Sequence, residues 1–463
     1  MSMAMALHFG GYEFARSGAL ALFTSSQTGF AHPSAYPLAI GLVTPASLVL
    51  LYWYGLILKA RGPRRALYET TAMSVGILTA GTALCQICHS IMPTWQGLAI
   101  LSKAAVAALF VFQNSYAHLL YTQQWSFLGS VMTPSEGTKW FSVIAGLSSV
   151  VCTITATMTH VLSDRVGLLG LIVGTCVTLA MSMVLADRAY QLAQDHGFDP
   201  TPELSKTSSK KHDKSPSSSC KEETLLAKTG RMFQTSPTLA GLFGEVISFQ
   251  SLSTVLNVCF VRQLKDTLPV DTDRAAFTGK FYALVNGSSG LMQFLVLPLA
   301  RKYLEPQWVY RFLPFLLMPL LIYSALQPTS TLWIAAVAFF ALKSTDYSIR
   351  NVANEMVFQP LDFDARYLGK EVIGVFANRF GKSGMSLILS GMTTVLPSGR
   401  MGARQLSQLA VLVGTVWSSC SVYLSKHVVT NREAEAKVQE RKHKQEELQT
   451  EMEETSDEAK KTK

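Results

Sequence analysis

Charge is the scarce commodity in this chain. Only 15% of its 463 residues are Asp, Glu, Lys or Arg, against about 25% in soluble globular domains. That shortage excludes an ordinary soluble domain, whose water-facing surface needs those charges, and a mean hydropathy of +0.24 points the same way. Cysteine is sparse too: of seven residues, six lie scattered through apolar stretches and one, Cys220, in a Ser- and Lys-rich segment, and they read as small buried hydrophobes, not as a disulfide framework. The run Cys85-Gln86-Ile87-Cys88-His89 spells a haem-attachment pattern, but it ends an apolar span and no second site supports it. Gly381-Lys382-Ser383 resembles the end of a phosphate-cradling loop, yet the glycine required five positions earlier is Phe376. Gly-rich dinucleotide fingerprints, zinc-protease helices and nucleophile elbows do not occur. The sequence therefore predicts a non-enzyme with no catalytic residue, cofactor or metal site.

What the chain does have is apolar length. Twelve spans, from Met5–Phe23 to Leu406–His427, are apolar over most of the distance needed to cross a bilayer. The prediction is an all-α polytopic membrane protein, about 12 transmembrane helices in two six-helix bundles. The N-terminal bundle covers 1–190 and the C-terminal bundle 236–429. Between them, 191–235 is rich in Ser, Lys and Pro and reads as a flexible linker, and 430–463 reads as a charged, solvated tail. Lys59, Arg61, Arg64 and Arg65 follow the second span, Lys206, Lys210, Lys211 and Lys214 the sixth, and Arg301 and Lys302 the eighth. The loops 25–36, 91–96 and 327–331 carry no Lys or Arg. By the positive-inside rule both termini and the middle loop lie on the cytosolic-type side. The formal net charge of +9 is thus spread over loops on one membrane face. That predicts a lipid bilayer, and no nucleic acid, as partner.

One stretch breaks the hydropathy. The apolar run Trp333–Leu342 is about ten residues, roughly half a membrane span, so the tenth span must continue through Lys343, Asp346, Arg350 and Asn354. At helical spacing Lys343, Arg350 and Asn354 share a face, with Asp346 one turn before Arg350. An ionised side chain facing lipid costs at least about 2.5–3.5 kcal/mol, so that face lines a bundle interior or an aqueous cavity. The other reading makes these residues the cytosolic end of the helix and its loop.

The same stretch, KSTDYSIRNVANEMVFQPLDFDARYLGKEVIGVFANRFGKSG, resembles the non-mitochondrial ATP/ADP translocases of plastids and intracellular bacteria, distant relatives of the major facilitator fold. The match runs without a gap through Lys343, Tyr347, Ser348, Glu355, Met356, Pro360, Leu361, Asp362, Gly369 and Lys370 to Arg379, Gly381, Lys382, Ser383 and Gly384. A weaker one covers Phe127, Thr133, Glu136 and Lys139–Phe141. The resemblance implies a major-facilitator-like fold, ATP:ADP antiport by alternating access, and an organelle envelope or intracellular-parasite membrane. It also implies a lysine in the first span, a glutamate in the fourth, another in the seventh and a lysine in the tenth. This chain departs at each: Gly18-Ala19, Gln113, Asn257 and Asn354 occupy those positions, and Asp346 replaces a second lysine of the tenth span.

Candidate substrate-binding residues are accordingly Arg16, Gln113, Asn257, Lys343, Arg350 and Asn354, with Lys280 as a further cation. Glu355, Pro360, Asp362, Lys370, Arg379, Gly381 and Lys382 are assigned to the fold. The substitutions predict a cavity that is hydrophilic but less cationic than an exchanger's. Three functions stay open: nucleotide exchange with a divergent site, transport of a less charged polar metabolite, and a membrane interaction protein that does not transport. No cleavable presequence is evident before Met5.

The topology is directly testable. Cysteines introduced singly as Ser208→Cys and Thr455→Cys should react with an impermeant reagent from one side and Ser330→Cys from the other. Labelling of all three from the same side would contradict twelve spans.

Overall fold

The computed structural model describes residues 1–30, 32–91, 97–131, 134–196, 225–296, 305–327, 331–358, 360–361, 373–395, 401–430, 432–434, 436–437 and 440. Among them the chain is helical throughout, and its membrane passes follow the apolar spans. α1 is Ser2–Thr24. The helical stretch Ala35–Ile91 breaks at Gly62, at φ +79°, into α2 (35–61) and α3 (63–91). α4 is Gly97–Val131. Pro134–Asp195 breaks in the same way at Gly167, at φ +70°, into α5 (134–166) and α6 (168–195). Both breaks need a backbone conformation that strains residues with a Cβ, so glycine is what lets each chain reversal be this tight.

After the short helix α7 (Leu225–Thr235) come α8 (Pro237–Thr267) and α9 (Asp271–Leu291, extended by a wide turn over Met292–Val296). α10 is Pro306–Leu326. α11 runs Leu332–Thr345, through a wide i→i+5 turn at Asp346–Arg350, to Asn351–Phe358. α12 joins the turn Ile373–Ala377 to Asn378–Val395, and α13 is Ala403–His427. That makes six passes before α7 and six after it among the described residues. Several are long and apolar enough on their own to cross a membrane. Of the four passes outside that set, α1, α9 and α12 carry Glu13 and Arg16, Asn286, and Arg379 and Lys382 into the interior, and α4 carries Gln113.

The stretch read as linker contains helix at both ends. α6 continues to Asp195, and α7 packs Phe233 edge-on against Phe243 of α8, rings 5.5 Å apart. Residues 197–224 lie outside the described residues, as does the tail beyond residue 440.

Small residues set how closely passes approach, as expected where lipid supplies no hydrophobic drive between helices. α1 lies against α6, where Thr175 donates to the Gly11 carbonyl at 2.8 Å and Ser182 to the Ala4 carbonyl at 2.7 Å. α9 lies against α5 through Gly279, Gly287 and Gly290, opposite Ala156, Thr153 and Ser149. α5–α9, α1–α9 and α2–α12 are extensive contacts that join the first six passes to the last six. Gly381, one of the residues assigned to the fold, stands where α12 meets α8: a Cβ there would lie 2.7 Å from the Ile247 carbonyl oxygen.

Gly381→Ala should therefore cost about 1–3 kcal/mol by overpacking, read as a lower thermal midpoint of the detergent-purified protein. Gly384→Ala, where an added Cβ meets nothing within 4 Å, should leave it unchanged or slightly raised.

Candidate functional site

A cavity of about 610 Å³ opens between the two sets of passes. Its walls come from α1, α2, α4 and α5 on one side and α8, α9, α11 and α12 on the other. The end toward the uncharged loops is sealed. Lys265 donates to the Phe30 carbonyl at 3.0 Å, Asn257 to the Tyr36 hydroxyl at 2.8 Å, and Ser390 to the Ser34 carbonyl at 3.3 Å. Deeper in, the Thr44 and Ser383 hydroxyls meet at 2.6 Å. Aromatic rings fill the space behind these bonds: Phe23 and Phe110 lie 4.7 Å apart, and Phe260, Phe281 and Phe339 stack within 5.6 Å of one another. The lining continues toward the opposite, basic-loop side as far as Met5, Trp125 and Phe358. Among the described residues the cavity is therefore closed toward the uncharged loops and extends toward the basic-loop side.

All six residues proposed from sequence, Arg16, Gln113, Asn257, Lys343, Arg350 and Asn354, line this cavity. Lys280 does not; it is exposed on α9, away from the cavity. The wide turn at Asp346–Arg350 sits in the middle of the polar stripe of α11, the place where such a turn rotates side chains inward.

The lining residues differ in how committed they are. Arg350 is 4% exposed, and it donates Nε and Nη2 to the two carboxylate oxygens of Glu245 at 3.0 and 2.8 Å, while Nη1 reaches Asp346 at 2.8 Å. Its guanidinium also lies 3.8 Å over the Phe249 ring. Glu245 is completely buried and accepts a further bond from Trp417 Nε1 at 2.9 Å. With Lys343 Nζ 3.8 Å from the other Asp346 oxygen, the chain of contacts runs Trp417, Glu245, Arg350, Asp346, Lys343. Asp346 is thus neutralised from both sides, and every nitrogen of Arg350 already bonds a carboxylate. Asn354 is held from behind by the Tyr310 hydroxyl at 2.5 Å.

Arg16 is engaged differently. Nη2 lies 3.2 Å from Glu13, which also accepts from Asn286 of α9 at 2.9 Å, and the guanidinium sits 3.8 Å over the Tyr282 ring and 4.6 Å over Tyr12. Nη1 is buried without a partner. This cluster ties the two sides of the cavity together at α1 and α9.

Two cations stand apart. Arg379 and Lys382, read from sequence as fold residues, both face the cavity from α12. Among the described residues no carboxylate lies within ion-pair distance of either. Lys382 stands within electrostatic reach of Lys343, Arg379 and Arg350 and, in the opposite sense, of the Asp346 carboxylate. Their neighbour Gly381 points the other way, into α8, as helical periodicity requires. Glu13 and Glu245 were not among the sequence candidates, although each is an acid inside an apolar span, which is itself a signal. Pro360 is buried beyond the end of α11. The Glu355 side chain, Asp362 and Lys370 lie outside the described residues.

Residues 318–428 match the family described as TLC ATP/ADP transporter, which covers α11, α12 and α13. The chain is 36% identical over 93 residues to ADP,ATP carrier protein 1 of Chlamydia muridarum, covering 20% of this chain and 18% of that protein. It is 25% identical over 199 residues to the chloroplastic ADP,ATP carrier protein 1 of Arabidopsis thaliana, covering 39% and 32%. The aligned parts thus span less than a third of the length of these curated relatives. In fold it is similar to the xylose transporter XylE of E. coli in an inward-open conformation, with a TM-score of 0.59 at 11% identity over 92% of this chain and 96% of that one. It is likewise similar to the nucleoside transporter NupG, with a TM-score of 0.60 at 10% identity over 91% and 98%. The two-bundle architecture is therefore major-facilitator-like.

The buried pair sets a stability test. Glu245→Leu leaves the Arg350 cation buried with half its partners and should cost about 3–5 kcal/mol. The double variant Glu245→Leu, Arg350→Leu should recover part of that loss. A single variant as stable as the wild type in thermal unfolding would contradict the geometry.

Proposed function

Because residues 318–428 match the TLC ATP/ADP transporter family, we propose that the chain exchanges ATP and ADP across a membrane by alternating access. The observation that carries the reading is the pair Arg379 and Lys382, two cavity-facing cations without a carboxylate partner among the described residues. Cations gathered away from bulk water repel one another and are costly to leave uncompensated. An anionic ligand relieves both costs, and a polyphosphate does so with several oxygens at once. Lys343, whose single carboxylate contact is long at 3.8 Å, completes the arc.

In this reading Arg350 positions α11 and does not touch the phosphates. Arg379 and Lys382 take the cationic role that the sequence departures at Asp346 and Asn354 leave vacant. Alternating access needs the seal on the uncharged-loop side to open while the basic-loop side closes. That seal consists of hydrogen bonds between the two sets of passes, backed by aromatic clusters within each set, and it can part without breaking an ion pair.

A second reading, transport of a less charged polar metabolite, is favoured by the neutral amides Gln113, Asn257 and Asn354 in the lining. Purified protein in liposomes separates the two. Uptake of labelled ATP should require internal ADP and be blocked by excess unlabelled ATP. Arg379→Gln and Lys382→Gln should each lower it about tenfold or more, the scale of a lost charge-assisted hydrogen bond. Uptake of an uncharged solute that excess ATP leaves untouched would favour the second reading, and no uptake of either would leave the interaction-protein reading.

A further inference from the structure

The cavity wall is chemically lopsided. On the side built by α8, α9, α11 and α12, Lys343, Arg350, Arg379 and Lys382 face only one lining carboxylate, Asp346. On the other side the charged lining residues among those described are Glu13 and Arg16, which neutralise each other. The part of that wall made by α4 carries no acid, Lys or Arg: Phe110, Gln113, Ala117 and Tyr121 line it at i, i+3, i+7 and i+11.

Within that neutral face Gln113 is anomalous. It is 1% exposed, and neither its Oε1 nor its Nε2 has a hydrogen-bond partner. A buried amide is normally paired, and two open groups on one side chain call for a specific account. Apolar helix packing would be better served by Leu or Met, so packing does not supply it. The neighbourhood suggests one: Phe110, one turn earlier, presents a ring beside those of Phe23 and Tyr36, with centroids 4.7 and 5.7 Å away, at the sealed end of the cavity. A flat apolar surface next to an open donor and acceptor is the environment in which proteins hold a heterocyclic base, by stacking and by a bidentate amide contact.

We propose that Gln113 is the base-recognition residue of this cavity, pairing its amide with the adjacent donor and acceptor of an adenine-type heterocycle, while the α11 and α12 cations hold the phosphates. The proposal rests on the nucleotide reading and deepens it by assigning the two ends of the ligand to opposite walls. It also explains how a glutamine can stand where the resembling translocases carry a glutamate: an amide both donates and accepts, whereas a carboxylate only accepts.

The test compares ADP with inorganic pyrophosphate, which carries phosphates and no base, by calorimetric titration of the purified protein. For the wild type ADP should bind about tenfold or more tightly than pyrophosphate. Gln113→Met removes both open groups at similar volume. It should lower ADP affinity about tenfold, leave pyrophosphate affinity unchanged, and leave the unliganded protein at least as heat-stable as the wild type, because an unpaired amide has gone. Gln113→Asn, which keeps the amide but withdraws it by one methylene, should show the same selective loss. ADP and pyrophosphate weakening together, ADP affinity unchanged in both variants, or a less stable unliganded Met variant would each overturn the assignment. Wild-type protein that binds pyrophosphate as well as ADP would overturn it while leaving the phosphate site standing. Binding of neither would overturn both.

Discussion

The bidentate pair between Arg350 and Glu245 is the constraint on which the rest of the cavity depends. Both groups are shut away from solvent, and in such surroundings neither charge is tolerable without the other. Joining α8 to α11, the pair fixes the depth and rotation of the polar stripe. It also holds Asp346 where Lys343 can reach it. Because it consumes one arginine and places one acid, it decides which cations remain open to a ligand. The open ones are on α12, whose packing against α8 depends on Gly381, so the stable part of the site and its ligand-facing part meet on one helix.

The contacts between the two sets of passes divide the same way. Toward the uncharged loops they are hydrogen bonds with no ion pair among them, backed by aromatic rings. At the middle, Glu13, Arg16, Asn286 and Tyr282 join α1 to α9 with charge and π contacts. Such bonds are exchanged for water at little net cost, so this end is the easier of the two to part. The Glu13 cluster is costlier to disrupt and suits a pivot. Small residues along α5 and α9 bring those helices close enough for a rocking motion about their line of contact.

Much of this was legible in the sequence, for reasons that also explain what was not. The twelve passes are readable because hydropathy reports the solvent each segment faces, and even α1, with Glu13 and Arg16 inside it, keeps an apolar majority. The stripe Lys343, Arg350 and Asn354 is readable because helical periodicity is local. The partner of Arg350 is not, since Glu245 lies 105 positions away and nothing local joins them. Arg379 and Lys382 were read as fold residues because they sit in a motif whose glycine does serve packing. Only the approach of α12 to α8 shows that the two cations turn toward the cavity while Gly381 turns away. Lys280 failed as a candidate for the same reason: its charge is visible in the sequence, but its face of α9 is not.

The central claim is that Arg350 belongs to the scaffold and the α12 cations to the ligand. A cryo-electron microscopy map of the full chain in lipid nanodiscs with ATP tests it most directly. The account predicts phosphate oxygens at charge-assisted hydrogen-bond distance, about 2.7–2.9 Å, from Arg379 and Lys382, with Arg350 still bidentate on Glu245. A triphosphate seated on Arg350 with Glu245 displaced, or a cavity with no nucleotide at saturating ATP, would contradict it.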